Sequence, residues 1–188
     1  MMQTLYVNNK LDYSGSQFEP HWIYKNFKLE SDSIVSFIGN ADIPLENILK
    51  IKDQSGEVFT CSDLMLHFVI EHFDNNLDIA VYRKRLLIVS IKEELEKYGI
   101  RITRIGGDLY SNKRRLSIAI AISSTVSALL YTGINLDTRD EPVKTLGLKE
   151  LGIKDIKSFA QNIMLSYRKE LEGIYEERCK VRGVKFNN

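Results

Sequence analysis

Three cations stand side by side near the middle of the chain, directly after a polar turn. Lys113, Arg114 and Arg115 open a segment of alternating hydrophobic residues, and Asp108 lies just before the turn. The planar fork of an arginine can hold a carboxylate or a phosphate through two parallel hydrogen bonds. A fixed cation also stabilises the negative charge that develops when a carboxylate is activated. We therefore predict an anion-binding site on a β-hairpin here, with a solvated charge run as the alternative interpretation.

Small residues around the cations favour the same site. Gly106 and Gly107 permit a ligand to approach the backbone closely, although a Gly-Gly pair also occurs in plain turns. Ser117 and Ala119 alternate with bulky residues along the following strand, so one face of that strand is thin. A thin face leaves room for a ligand or for a closely packed helix. We predict a pocket over this strand that includes Arg115, with Ser117 or Ala119 at its floor.

The histidines and their neighbouring carboxylate do not suggest a metal centre. His67, Glu71 and His72 are close in the sequence. Their spacing aligns them on no common face of a helix, and it puts His67 and His72 on opposite faces of a strand. No metal site is predicted. His67 is expected to line the ligand pocket instead.

The hydrophobic periodicity changes along the chain and predicts an α+β fold, with a mixed, mainly antiparallel sheet flanked by helices. Alternating runs at 115–123 and 126–134 are joined by a short polar turn, which predicts an antiparallel hairpin. A helical stripe over 78–98 ends at Gly99, where a left-handed cap is required, and we expect this helix to pack on the hairpin. The remaining predicted elements are strands at 5–7, 33–38, 64–71 and 100–102, a helix that begins at Ser16 or Glu19, and a helix from Asp155 to about Cys179.

Length and charge limit the architecture and the partners. The chain has 188 residues, 44% of them hydrophobic, which is enough for one well-packed core. We expect a single domain over 1–188. Lys and Arg total 26 while Asp and Glu total 25, so no strong overall field would draw the chain to duplex nucleic acid.

Cysteine usage and the apolar segments indicate the compartment. The chain has two cysteines, Cys61 and Cys179, and residues 1–10 lack the long apolar stretch of a signal peptide. The longest apolar segments, such as 64–70, are far shorter than the roughly 18 residues of a membrane span. The sequence therefore favours a cytoplasmic protein with reduced thiols and no membrane partner.

The cationic hairpin resembles the central hairpin of biotin and lipoate protein ligases. The segment 108–110, followed by Arg115 and Leu116, is similar to their Asp-Ile-Tyr and Gly-Arg-Lys-Leu pattern. In that register Arg115 stands where the ligases have a lysine that contacts the carboxylate or the acyl adenylate. Gly107 stands in the place of an asparagine. The resemblance implies a ligase-like fold, and with it the ATP and magnesium that the ligases use, while the residues themselves identify no cofactor.

The resemblance extends along the chain. The order of elements from the long helix to the terminal helix, including 133–135 and 145–152, looks like the ligase catalytic domain. Upstream, 54–59 is similar to the Ser-Gly-Gly-Gly-Ala-Val loop of lipoate ligases, but it is two residues shorter and keeps one glycine, Gly56. The whole chain is identified as a member of the largely archaeal domain of unknown function 366 family. No established activity comes with that family.

Two classes of function follow from the resemblance. The first is an enzyme that adenylates a small carboxylate or moves an acyl group. The second is a binding module that holds a nucleotide or another small anionic ligand without turnover, through Arg115 with help from Lys113 and Asp108. The lysine-to-arginine departure and the short glycine loop favour binding over catalysis. Assembly alone, for example as a homodimer, is a third alternative.

Overall fold

A computed structural model describes residues 2–41, 64–137, 145–181 and 183. Gly56 and Cys61, and with them the glycine loop, lie outside the described residues. In chain order, the described residues form β1 (Gln3–Tyr6), α1 (Trp22–Phe27), β2 (Ser33–Asn40), β3 (Leu64–His72), α2 (Leu77–Lys97), β4 (Thr103–Ile105), β5 (Asp108–Ser111), β6 (Arg114–Arg115), β7 (Ser117–Ser123), β8 (Ala128–Asn135) and α3 (Ile156–Lys180).

Five of these strands form the main sheet, in the order β1-β2-β3-β8-β7, and β4, β5 and β6 form a small second sheet. Strand β1 runs parallel to β2, and the other neighbours in the main sheet are antiparallel. The predicted hairpin is confirmed, because β7 pairs with β8 from Ser117 opposite Ile134 to Ser123 opposite Ala128. The fold is thus α+β with a mixed, mainly antiparallel sheet.

Both faces of the main sheet are covered. Helices α2 and α3 pack on one face, where Leu87 and Phe159 join Phe68 of β3 in one hydrophobic cluster. The segment around α1 covers the other face, where Tyr13 packs with Tyr131 of β8. The central strands β3 and β8 are therefore buried along nearly their whole length. Burial on two faces explains why hydrophobic residues fill both sets of alternating positions.

The two long helices begin and end where local chemistry favours it. Asn76 caps α2 by accepting a hydrogen bond from the Ile79 N–H at 3.0 Å, and Asp155 caps α3 by accepting one from the Ser158 N–H at 3.0 Å. Gly99 follows α2 with a φ of 75°, the left-handed conformation that glycine adopts without steric cost. The predicted ends of both helices are confirmed within one residue.

The structure corrects several predicted boundaries, among them those of α1, β4 and the strand after the cationic turn. Helix α1 begins at Trp22 and not at Ser16 or Glu19, because His21 is left-handed with a φ of 64° and donates its N–H to Glu71. The strand after Gly99 is β4, three residues later than the predicted 100–102. The predicted strand 115–123 is interrupted at Leu116, so that β6 pairs with β5 and β7 pairs with β8.

The thin face of β7 is packed by a helix. Ala119 and Ala121 lie in the same cluster as Leu87 and Ile91 of α2, and α2 contacts β7 directly. Small side chains on the strand allow this close approach. We predicted that the thin face leaves room for a ligand or for a closely packed helix, and the structure shows a helix there. Among the described helices, none combines the length and apolar composition that would carry it across a bilayer.

Candidate functional site

The cationic hairpin is built from β5 and β6 and a two-residue turn. Asn112 and Lys113 occupy the turn with φ values of 49° and 64°. Two left-handed residues in succession match the type I′ turn, whose twist suits a tight hairpin. Tyr110 lies opposite Arg115, and Ser111 lies opposite Arg114. The turn therefore fixes which side chains face each other at the site.

The side chain of Arg115 is held in one orientation by its cross-strand neighbour. The hydroxyl of Tyr110 accepts hydrogen bonds from Nε at 3.1 Å and from Nη2 at 3.0 Å. The guanidinium carbon lies 5.6 Å from the centroid of the same ring, which allows a cation–π contact. The side chain of Arg115 is 22% exposed. The side chain of Arg115 is therefore partly exposed, in an orientation that the phenol of Tyr110 helps to fix.

Asp108 connects this cation to the main sheet. Its Oδ2 lies 3.9 Å from Nη2 of Arg115, and its Oδ1 accepts a hydrogen bond from the Ala119 N–H at 3.2 Å. Ser117 makes a second connection, because its Oγ accepts a hydrogen bond from the Leu109 N–H at 3.0 Å. The structure thus places Asp108 beside Arg115, and Ser117 beside Leu109 at the base of the same hairpin. Ser117 is buried at 1% exposure and tethers the hairpin.

The main chain at Arg115 is also fixed. Its carbonyl oxygen accepts hydrogen bonds from Nδ2 of Asn135 at 3.1 Å and from the Leu146 N–H at 2.8 Å. Asn135 ends β8, so the end of one strand and the segment leading to α3 converge on the base of the hairpin. This convergence places the cation at the junction of the two sheets.

Lys84 of α2 lies beside the hairpin, which its position in the sequence does not predict. A side chain built at Gly107 would meet Cε and Nζ of Lys84, each 3.3 Å from its Cβ. The ammonium group therefore lies beside the residue that precedes Asp108. Of the three consecutive cations of α2, Arg83 and Lys84 are half-buried and only Arg85 is exposed. The sequence feature that points to Lys84 is Gly107, because a glycine at that position leaves space for the end of the lysine side chain.

His67 lies on β3 in the second face of the sheet, apart from the hairpin. Its Nε2 is 3.1 Å from the carbonyl oxygen of Gly39, which can only accept, so Nε2 carries the proton. Its Nδ1 then accepts a hydrogen bond from the hydroxyl of Tyr131 at 3.0 Å. The ring stacks on Phe37 and Tyr13, at centroid distances of 5.0 and 5.3 Å. Burial lowers the pKa of His67 to about 4, so the ring is neutral near pH 7.

The other two members of the histidine and carboxylate run have separate partners. Glu71 accepts hydrogen bonds from the His21 N–H and from Oγ of Ser127, both at 2.8 Å. His72 lies between Asp32 and Tyr167, with Nδ1 2.8 Å from Oδ2 of Asp32 and Nε2 2.9 Å from the Tyr167 hydroxyl. Within the described part of the chain, no three His, Cys, Asp or Glu side chains gather as a metal site would require.

Asp32 and Tyr167 have shifted pKa values on either side of His72. Burial alone would raise the pKa of Asp32, but the hydrogen bonds from His72 and from the Phe73 N–H outweigh it and lower that pKa. Burial raises the pKa of Tyr167. Tyr167 therefore remains a neutral phenol, and its hydroxyl is hydrogen-bonded to Nε2 of His72 in the core.

A cavity of about 880 Å³ lies away from the hairpin, between α2 and α3. Ile79 and Tyr82 line it from α2, Ile174 and Tyr175 line it from α3, and His72 is at its floor. None of the predicted site residues that the structure describes lines this cavity. Ser117 and Ala119 are buried, so neither forms the floor of an open pocket, and a ligand pocket beside Arg115 stays a prediction.

Comparison with solved structures defines the fold class. The structure is similar to a biotin protein ligase from Aquifex aeolicus in complex with biotin and ATP, with a TM-score of 0.61 and 16% identity over 93% of this chain and 72% of that chain. It is also similar to a lipoate-ligase-like protein of T. acidophilum with bound lipoic acid, with a TM-score of 0.58 and 11% identity over 92% of this chain and 86% of that chain. The protein thus has the biotin/lipoate ligase fold.

The chain belongs to the domain of unknown function family DUF366, whose model matches residues 2–182. An uncharacterised protein of Methanocaldococcus jannaschii is 40% identical over 185 residues, which cover 95% of this chain and 84% of that protein. A solved protein of unknown function from Pyrococcus horikoshi has a TM-score of 0.89 and 34% identity, covering 98% of this chain and 100% of that chain. The family and the fold resemblance inferred from the sequence are both confirmed.

Proposed function

We propose that the protein binds a small anionic ligand, an adenine nucleotide or an acyl-type carboxylate, at the β5–β6 hairpin. Arg115 is the main cation of this site, and Lys113 and Lys84 add positive charge from the turn and from α2. Asp108 orients the guanidinium and ties the hairpin to β7. The ligand makes a charge-assisted, bidentate contact with Arg115.

The observation that carries the proposal is the support of Arg115 by Tyr110. A lone surface arginine pays side-chain entropy when it binds an anion, whereas two hydrogen bonds to one phenol fix this guanidinium beforehand. Arg115 also stands at the lysine position of the ligase-like hairpin. The fold likeness adds context, because two similar structures contain biotin with ATP and lipoic acid.

Binding without fast catalysis fits the residues better than a full ligase activity. An arginine keeps its charge at every useful pH and differs from lysine in reach and in the geometry of its donors. Gly107 lacks the amide that the ligase asparagine would bring to the ligand. The ammonium of Lys84 lies near that position instead. These changes preserve attraction for an anion while altering the groups that would position a reacting carboxylate.

Calorimetry of the wild type against ATP, AMP, biotin, lipoate and octanoate tests the proposal. Loss of a charge-assisted hydrogen bond costs about 1.5–3 kcal/mol, so Arg115→Ala should weaken the ligand that binds by roughly ten- to a hundredfold. Arg104→Ala is the matched control, because Arg104 is an exposed arginine on the adjacent strand β4. Absence of binding by the wild type at millimolar concentrations of all five ligands would refute the proposal.

Pyrophosphate release distinguishes the binding module from an enzyme. The assay contains the wild type, ATP and each of the three acids. A binding module releases no pyrophosphate above background. Steady release that Arg115→Lys changes would instead assign a carboxylate-adenylating activity to the same hairpin.

A further inference from the structure

The cavity between α2 and α3, here called the interhelical groove, is open along two unfilled helix faces. The two helices are antiparallel neighbours, since Tyr98 contacts Phe159 and Asn162 donates a hydrogen bond to Glu94 at 2.9 Å. At the other end of the pair, the start of α2 and the last turns of α3 stand apart around about 880 Å³ of space. Well-packed cores leave no void of that size.

Each helix presents an apolar stripe to the groove. On α2 the stripe contains Ile79 and Tyr82, which are 41% and 70% exposed. On α3 it contains Leu171, Ile174 and Tyr175, and the last two are 53% and 61% exposed. Spacings of three and four residues place the members of each stripe on one helical face. Two such stripes along one groove fit the apolar face of a further helix.

The charges that line the groove have both signs. Arg83 and Arg178 face it together with Asp32, Glu172 and Glu176. A small anion would meet three carboxylates there, so the groove is a poor site for the ligand class proposed for the hairpin. A surface that carries both signs can instead complement a second copy of itself.

We infer that the interhelical groove is the dimer interface of this protein, with α3 of a second copy as its occupant. In this arrangement the two α3 helices run antiparallel across a two-fold axis at Tyr175. Glu172 lies three residues before Tyr175, and Arg178 lies three residues after it. The two-fold axis therefore places Glu172 of each copy opposite Arg178 of the other copy, which gives two equivalent charge pairs. Oε1 of Glu172 is buried and has no hydrogen-bond partner in the described structure, and Nε of Arg168 lies 3.7 Å away. The side chain as a whole is 36% exposed, so a second cation can approach this carboxylate only from its exposed side.

Sedimentation or light scattering of the full chain tests the inference. The wild type should be a dimer over roughly 1 to 100 µM, the range that spans micromolar affinities. Ile174→Glu puts a charge into the apolar contact and should weaken the dimer about thirtyfold or more. Leu165→Glu is the matched control, because Leu165 lies on α3, is 39% exposed and does not line the groove. Circular dichroism checks that both variants remain folded.

A charge exchange tests the position of the axis. Glu172→Arg alone and Arg178→Glu alone bring like charges together at two symmetric contacts, and each should shift the wild-type equilibrium toward monomer. The double variant restores opposite charges and should recover the dimer. A wild type that stays monomeric over this range would overturn the inference. A dimer that survives Ile174→Glu undiminished, or a double variant no better than the singles, would overturn it as well.

Discussion

The phenol of Tyr110 and the guanidinium of Arg115 form a fixed pair across the two strands of the hairpin. The hydroxyl accepts from Nε and Nη2 at 3.1 and 3.0 Å, and the ring lies 5.6 Å from the guanidinium carbon. The two residues are directly opposed in the β5–β6 register. The register therefore puts both side chains on the same face of the hairpin, within reach of each other. An arginine oriented in this way loses little rotamer entropy on binding a planar anion.

Removal of the Tyr110 hydroxyl should weaken ligand binding while the hairpin persists. Tyr110→Phe keeps the ring but deletes the acceptor of two hydrogen bonds. A net hydrogen bond contributes about 0.5–1.5 kcal/mol, so we expect a loss of roughly three- to tenfold in affinity for the nucleotide or acid that the wild type binds. Titration calorimetry measures it, and Tyr98→Phe provides a half-exposed tyrosine outside the hairpin as the control. Unchanged affinity in Tyr110→Phe would mean that the phenol does not position Arg115.

Two substitutions at Asp108 should separate its structural role from its charge. Asp108→Asn keeps an oxygen that can accept a hydrogen bond from the Ala119 N–H, so the free energy of unfolding should change little. Asp108→Ala leaves that N–H without its acceptor and should lower the free energy of unfolding by about 1–3 kcal/mol. Urea titration followed by circular dichroism measures both. Equal destabilisation by the two variants would show that the carboxylate charge, and not the hydrogen bond, holds the hairpin on β7.

Most of the fold was predictable because local signals agree with the tertiary structure. The β7–β8 hairpin follows from two alternating runs, and the ends of α2 and α3 follow from Gly99 and Asp155. Predicted boundaries of helices and strands were wrong where a residue far away in the sequence determines the local backbone conformation. Helix α1 starts late because Glu71, fifty residues further on, accepts the N–H of His21. No pattern within residues 16–27 contains that contact.

The candidate site was predictable only as far as the hairpin itself extends. Arg115, Asp108 and Ser117 come together because short sequence separation and strand register bring them there. Lys84 reaches the site from α2, whose orientation depends on packing against the thin face of β7. His67 has the right alternation for a strand but faces an aromatic cluster. Both faces of this sheet are covered. The alternation of residues along a strand therefore does not distinguish a face that could hold a ligand from a face that packs in the core.

Loss of the Lys84 charge should weaken ligand binding with little effect on stability. Lys84→Met keeps the length and the apolar stem of the side chain but removes the ammonium beside Gly107. Because the group adds to the positive potential around Arg115, we expect a loss of about three- to tenfold in affinity at low salt, and a smaller loss at high salt. Arg85→Met, next in sequence and exposed, should leave the affinity unchanged. Equal losses of affinity in Lys84→Met and Arg85→Met would show that Lys84 contributes to binding only as any other surface charge does.

Protonation of His67 should destabilise the folded protein in mild acid. Burial lowers its pKa from 6.5 to about 4, so between these values the unfolded chain binds a proton that the folded chain does not. Stability therefore rises with pH across this window, and it falls as the pH drops from about 6.5 toward 4, by on the order of 3 kcal/mol from this group. Urea unfolding at a series of pH values measures the slope.

His67→Phe should be less stable at pH 7, because the partners Gly39 and Tyr131 lose their hydrogen bonds, but it should lose much less stability between pH 6.5 and 4. His21→Gln, a histidine substitution at an exposed position, is the matched control. A His67→Phe slope equal to that of the wild type would show that the acid sensitivity arises elsewhere in the protein.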